Sequence, residues 1–192
     1  YLFMKIYVPL TLLTLGLAVW FFCRRTGFGQ VPSTLAALAA ALNSAFFSAT
    51  AWGVGNQVMC FAAMFTALGL LARPMERLRW VRVLLAGACV GLGVSEGFDI
   101  GAIFSLLVAA FALYQPFTRT GAPVASRAVR GVVTVGLVAV FAALLAAQTV
   151  VSLVSTQIQG TAASPEDDRT AQQRWDWATQ WSLPKTETLG LA

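Results

Sequence analysis

The longest stretch without a charged residue runs from Thr26 to Ala72 and contains 47 residues. A membrane-spanning helix needs about 20 apolar residues, so this stretch predicts two crossings with a turn between them. The turn is expected in TAWGVGNQ, residues 50–57, where Gly53, Gly55 and Asn56 interrupt the apolar pattern. The core of a soluble domain of this size does not bury such a run, and the stretch therefore indicates a membrane protein.

The composition supports this class. Hydrophobic residues make up 58% of the chain and charged residues 11%, whereas soluble domains average about 45–50% apolar and about 25% charged residues. Two further runs predict spans, Ile6–Cys23 near the beginning and Gly131–Ser155 near the end. The segment TGFGQVPS, residues 26–33, separates the first helix from the second, and Pro32 or Ser33 is suited to opening that second helix.

The region Val83–Tyr114 is 32 residues long and is interrupted only by Glu96 and Asp99. One helix of this length would measure about 48 Å, which exceeds the hydrocarbon thickness of about 30 Å. Two short helices that turn at SEGFD, residues 95–99, fit better than the single-helix alternative. The prediction is therefore an all-α, multi-pass bundle of about six spans over residues 1–155, followed by an extracytoplasmic segment over residues 156–192.

Charge placement supports the hairpin. With the turn in place, one side of the membrane collects nine arginines and one acid, and the other collects four basic residues and seven acids. The arginine side is cytoplasmic by the positive-inside rule. Its arginines are Arg24, Arg25, Arg73, Arg77, Arg79, Arg82, Arg119, Arg127 and Arg130. The net charge of +5 is thus a topology signal, and no nucleic-acid partner is expected.

Glycines recur at four-residue spacing in the hairpin, at Gly87 and Gly91 and again at Gly93, Gly97 and Gly101. This spacing lets helices approach closely. Packing within the bundle is the preferred interpretation, and a dimerisation motif is the alternative.

Glu96 and Asp99 are the candidate catalytic carboxylates. At the outer end of the hairpin they would reach water, which costs less than a charge at the membrane centre. If the turn is helical, their spacing puts both on one face. One interpretation is a solvated loop in which Asp99 caps the next helix. The other is an outward-facing cavity in which the acids bind a cation or a polar head group, or accept a proton from a substrate hydroxyl.

The segment after Ser155 is polar and predicts a helix that opens at Ser164 and ends before Pro184. The structural interpretation is an amphipathic helix on the outer membrane surface. The functional interpretation is that its aromatic side chains stack on a sugar or lipid-linked substrate. The candidate substrate-binding residues are Trp175, Trp177, Trp181 and Arg174. Cys23, Cys60 and Cys89 are scattered and histidine is absent, so no metal site is expected in these residues.

The order of these features, with ATQWSLPKTETLGL near the end, resembles the middle of bacterial YfhO-like integral membrane proteins. Trp181, Ser182, Pro184, Glu187 and Leu189 occupy the positions of a segment that recurs in that family. The resemblance implies an internal piece of a longer, GT-C-like glycosyltransferase in the bacterial cytoplasmic membrane. Such an enzyme uses a polyprenyl-phosphate sugar and carries its main catalytic carboxylate in an earlier extracytoplasmic loop, which leaves Glu96 and Asp99 supporting roles.

The same resemblance leaves room for a divalent metal in the whole protein, although no cofactor is evident in this chain. The expected partners are membrane lipid, the polyprenyl-phosphate sugar and the remainder of the same polypeptide. Two other functions stay open from the residues alone. One is a transporter or lipid flippase with an acidic site in the broken hairpin, and the other is a structural subunit of a membrane complex.

Overall fold

The computed structural model describes residues 2–72, 79–118 and 123–159, together with residues 172, 173, 175 and 176. These residues are helical or lie in short turns, and no strand occurs among them. Up to residue 159, the described residues form seven α-helices: α1 (Leu2–Thr26), α2 (Gln30–Ala41), α3 (Ser44–Ala51), α4 (Gly55–Ala72), α5 (Arg79–Glu96), α6 (Phe98–Tyr114) and α7 (Val124–Leu153). A short 3₁₀ turn, Gln115–Thr118, follows α6, and a π-helical turn, Val154–Gln159, follows α7. The predicted all-helical class is confirmed.

Several of these helices are long and apolar enough to cross a membrane. Among the described residues they are Lys5–Thr26, Gly55–Ala72, Phe98–Thr118 and Val124–Thr156, and the bent pair α2 and α3 makes a fifth if it counts as one span. The structure therefore supports four to five of the six predicted spans. Helix α5 is not among them, because it carries Arg79, Arg82 and Glu96 within 18 residues.

Two predicted turns are present. Helix α3 ends at Ala51 and α4 begins at Gly55. Gly53 lies between them with φ of +86°, a left-handed conformation that favours glycine. Helix α5 ends at Glu96 and α6 begins at Phe98, so the break predicted in SEGFD also occurs. Helix α2 begins at Gln30 after the N-cap Gly29, which places its start slightly before the predicted Pro32 or Ser33.

The structure adds one break that the sequence pattern does not predict. Asn43 lies between α2 and α3 and is the N-cap of α3, and its side chain accepts hydrogen bonds from the backbone N–H groups of Ala45 and Phe46. The two helix axes differ by 41° across this break. The second predicted span is therefore kinked near its middle.

The chain divides into two compact units, Tyr1–Val150 and Val151–Ala192. In the first unit, α1 and α4 run parallel, since Tyr7 lies against Gly55 at one end and Arg25 Nε donates to the Gly69 carbonyl at 3.4 Å near the other. Helix α5 runs antiparallel to α4, because Asn56 contacts Glu96. Helix α7 runs alongside α5 in the same direction, since Gly87 lies against Val138 and Gly91 against Ala142.

The interior of this unit is built from apolar and small side chains. Leu15, Val58, Met64 and Val108 are fully or almost fully buried. Aromatic rings fill the space between helices, including an edge-to-face pair of Phe61 and Phe104 with ring centroids 5.0 Å apart. The buried hydroxyls of Thr11, Ser33 and Thr50 each donate to a backbone carbonyl three or four residues earlier, which satisfies them without water.

The hairpin glycines are contact points between helices of the same unit. A Cβ added to Gly87 would lie 2.9 Å from the Val138 carbonyl oxygen, and one added to Gly91 would lie 2.7 Å from that of Ala142, so α5 and α7 touch through their backbones. Gly101 packs in the same way against the backbone of α5 at Gly93 and Val94. The close approach that the spacing predicts is present, and it serves packing within the bundle.

The alternating helix directions give the first unit two polar ends. We call the end that carries Tyr7, Asn56, Glu96 and Asp99 the carboxylate end. The opposite end, the arginine end, carries the basic residues in the last turn of α1 and in the first two turns of α5 and α7. These residues are Arg24, Arg25, Arg79, Arg82, Arg127 and Arg130. The grouping of charge along the sequence is therefore also a grouping in space.

Candidate functional site

The two candidate carboxylates lie on either side of the α5–α6 turn. Glu96 is the last residue of α5, and Asp99 lies in the first turn of α6. Between them, Gly97 has a non-helical backbone with φ of −142° and ψ of 88°. The turn is thus not a continuous helix, and the two acids do not share one helical face. The predicted N-cap at Asp99 is also wrong, since Gly97 occupies that position.

A side chain from α4 fixes the turn in place. Asn56 Nδ2 donates to the backbone carbonyl oxygen of Glu96 at 2.8 Å. That carbonyl belongs to the last turn of α5, where no further helical N–H is available to it. The hydrogen bond therefore ties the end of α5 to the beginning of α4 and holds the carboxylate-bearing turn against the bundle.

Two further groups surround the turn. The Cys60 thiol lies 4.0 Å from the Gly97 carbonyl oxygen, a long contact that a weak S–H donor can make. Tyr7 of α1 is half-buried and packs on Gly55, the residue before Asn56. Residues of α1, α4, α5 and α6 thus converge at this end of the bundle.

The two acids differ in their environment. Glu96 is half-buried and Asp99 is exposed. Asp99 stands in the first turn of α6, where the positive end of the helix dipole favours a negative charge. The pair can accept hydrogen bonds from a substrate hydroxyl or attract a cation from the water phase. In the part of the chain that the structure describes, no group of three side chains of the metal-binding types comes together.

The predicted aromatic residues are placed only in part. Trp175 is helical and 66% exposed, and it belongs to the second compact unit. Next to it, Gln172 Nε2 donates to Asp176 Oδ1 at 3.1 Å, a contact one helical turn apart. Trp177, Trp181 and Arg174 lie outside the described residues, as does the predicted start of this helix at Ser164.

Sequence reasoning did not identify the residues that hold the site together. The sequence pattern marks Asn56 only as an interruption of an apolar run, and it assigns no role at the site to Tyr7 or Cys60. One signal was available, because an asparagine just inside the start of an apolar helix needs a partner for its amide group. Which carbonyl accepts from that amide depends on how α4 and α5 pack.

The Asn56 contact predicts a measurable loss of stability. Asn56→Leu leaves the Glu96 carbonyl without this donor, and we expect the free energy of unfolding of the purified protein in detergent to fall by about 1–3 kcal/mol. Gln57→Leu is the matched control, because Gln57 is equally half-buried in the same helical turn. Thermal denaturation followed by helical circular dichroism measures both. Equal melting temperatures for the two variants would contradict a structural role of Asn56.

Comparison of the chain with protein-family models, with curated proteins and with solved structures gave no match.

Proposed function

We propose that this chain forms part of a membrane enzyme that transfers a sugar from a polyprenyl-phosphate donor to an extracytoplasmic acceptor. The observation that supports it is the position of the two acids. Glu96 and Asp99 share a turn at one end of the bundle, and Asn56 anchors that turn. An interfacial carboxylate pair suits a reaction between a lipid-linked donor and a water-soluble acceptor. The resemblance of the Trp181–Leu189 segment to YfhO-like proteins supports the same class of enzyme.

The apolar interior of the first unit, between its two polar ends, favours this function over transport. Transporters hold their substrates and coupling ions near the membrane midplane, often between broken helices. The described charged residues of the first unit lie instead within the outer turns of their helices. Between the two ends, the space is filled by buried residues such as Leu15, Met64 and Val108. A site at the membrane surface fits this arrangement better than a path through it.

The proposed chemistry assigns supporting roles to the two acids. In an inverting transfer, the acceptor hydroxyl attacks the anomeric carbon, the bond to the phosphate oxygen breaks, and a carboxylate takes the hydroxyl proton. The principal base is proposed to lie in a preceding loop of the whole polypeptide. Glu96 and Asp99 would orient the acceptor through hydrogen bonds. For the outer segment taken by itself, we propose Trp175, Trp177, Trp181 and Arg174 as substrate-binding residues.

The experiment that tests this proposal removes each charge and keeps each shape. Glu96→Gln and Asp99→Asn are introduced into the full-length polypeptide, and transfer of radiolabelled sugar from the polyprenyl-phosphate pool is measured in membrane vesicles. We expect at least about a tenfold lower rate for the double variant, since oriented acid–base groups contribute about 10²–10⁴-fold and these are supporting residues.

Arg130→Gln is the control, since it also removes a charge from an exposed position, but at the arginine end of the first unit. Unchanged transfer in the double variant, at equal protein level, would overturn the role of this turn. Measured flux of a solute or lipid across the vesicle membrane that depends on Glu96 would instead support the transporter.

A further inference from the structure

The break between α2 and α3 interrupts a single span. Helix α2 follows the last turn of α1 at the arginine end, where the Phe28 N–H donates to the Cys23 carbonyl. Helix α3 leads to the turn before Gly55, which lies against Tyr7 at the carboxylate end. The bend of 41° is far from a reversal. The two helices therefore cross the unit in one direction, with lengths of about 18 Å and about 12 Å at 1.5 Å per residue.

This break lies at mid-height in the bundle. Gly16 is halfway along the apolar segment Lys5–Thr26 of α1. A Cβ added to Gly16 would lie 3.1 Å from the Ala41 Cβ, and Ala41 is the last residue of α2. In a bilayer, the residues that follow Ala41 are consequently in the hydrocarbon region and not at a surface.

The backbone at the break loses part of its helical hydrogen bonding. The N–H groups of Ala45 and Phe46 donate to Asn43 Oδ1 at 2.9 and 3.4 Å. In an unbroken helix, these two N–H groups would donate to the carbonyls of Ala41 and Leu42. Those two carbonyls lose their regular donors at a depth where water does not supply others.

The side chains at the break are exposed and polar. Asn43, Ser44 and Ser48 are all exposed on the surface of the unit, and Leu42 is 77% exposed. Elsewhere in the described helices, hydroxyl groups bond back to a carbonyl of the preceding turn, as in Thr14, Ser33, Thr50, Thr66, Ser105 and Thr134. Among the described contacts, the hydroxyls of Ser44 and Ser48 form no such bond.

Lipid chains cannot satisfy these groups. Non-helical backbone at membrane depth occurs only where protein covers it or where it lines a water-filled cavity. We propose that a second copy of this chain packs on the α2–α3 break, so that Asn43, Ser44 and Ser48 of the two copies hydrogen-bond across a two-fold axis. This inference is independent of the proposed sugar transfer.

The composition of this surface suits a second copy. A two-fold axis brings the same groups of both copies together, and the set contains donors and acceptors alike. The Asn43 amide and the serine hydroxyls can donate, and the carbonyls of Ala41 and Leu42 can accept. Toward the arginine end, the exposed side chains of Val31, Leu35, Leu38 and Leu42 follow one another at the spacing of a single helical face, which two copies can interdigitate.

Disulfide cross-linking tests the interface. Ser44→Cys is introduced into the full chain after replacement of Cys23, Cys60 and Cys89 by alanine, and membranes are treated with a mild oxidant. We expect a covalent dimer of twice the subunit mass. Leu106→Cys is the matched control, since Leu106 is 72% exposed on α6, which packs on α4 and α5, and this variant should remain monomeric.

A second measurement needs no cysteine replacement. Subunit counting by single-molecule photobleaching should give two copies for the native chain, and Asn43→Leu with Ser44→Ala should lower the association constant by about threefold for each hydrogen bond lost. Equal cross-linking at Ser44 and Leu106, together with single-step photobleaching, would overturn the proposal. Cross-linking of Ser44 to a chain of another mass would also overturn it. So would rapid labelling of Ser44→Cys by a water-soluble maleimide, because it would indicate an aqueous cavity.

Discussion

Replacing Gly101 by alanine is expected to lower the free energy of unfolding of the protein by about 1–3 kcal/mol or more. The added methyl group would lie 2.7 Å from the Gly93 carbonyl oxygen and 2.7 Å from the Val94 Cα. Both are backbone atoms, so no side-chain rotation can make room. Helices α5 and α6 must therefore move apart, which weakens the packing of Gly101 on Gly93 and Val94 next to the Glu96–Asp99 turn.

Gly136 provides the control for this substitution. It also lies inside a helix, but a Cβ at this position would meet nothing within 4 Å. Gly136→Ala should therefore be neutral or stabilise by up to about 1 kcal/mol through its higher helix propensity. Thermal denaturation of both variants in the same detergent makes the comparison. A Gly101→Ala protein as stable as Gly136→Ala would show that α5 and α6 do not pack as the structure has them.

Single cysteines at the two ends of the first unit are expected to label from opposite sides of the membrane. Asp99→Cys and Arg130→Cys are both at exposed positions, the first at the carboxylate end and the second at the arginine end. The positive-inside rule predicts that the arginine end faces the cytoplasm. In intact cells, a membrane-impermeant maleimide should label Asp99→Cys and leave Arg130→Cys unlabelled until the cells are permeabilised.

The parent chain gives the background from the three native cysteines, and Leu106→Cys within the apolar part of α6 should resist the reagent in both conditions. Labelling of Arg130→Cys alone would reverse the orientation and place the acids in the cytoplasm. Labelling of both ends in intact cells would contradict a membrane-spanning arrangement of the first unit.

Much of the helical organisation was predictable from residue patterns. The turn around Gly53 and the break at Gly97 follow from glycine and polar residues within apolar runs, because both features end helices through local backbone preferences. The residue pattern does not predict the kink at Asn43. An isolated asparagine in a 47-residue stretch without charge is a weak signal, and only the observed cap on Ala45 and Phe46 identifies Asn43 as a break.

The candidate site depends in part on contacts that local sequence patterns do not predict. That Glu96 and Asp99 stand at a helix turn could be inferred from charge spacing, since a carboxylate in an apolar run is favoured only where it reaches water. That Glu96 belongs to α5 and Asp99 to α6 is seen only from the non-helical backbone of Gly97. The contacts from Tyr7 and Asn56 join residues that are distant in sequence, and no periodicity records such pairs.

The sequence by itself determined that this chain is helical, apolar enough for a membrane and asymmetric in charge, because those properties are sums over single residues and their neighbours. The tertiary structure decided which helices touch. It placed Gly87 and Gly91 against α7, Asn56 on the end of α5, and the Asn43 break at the middle of the bundle. Such contacts depend on the relative position and rotation of whole helices, which is fixed only when all of them pack together.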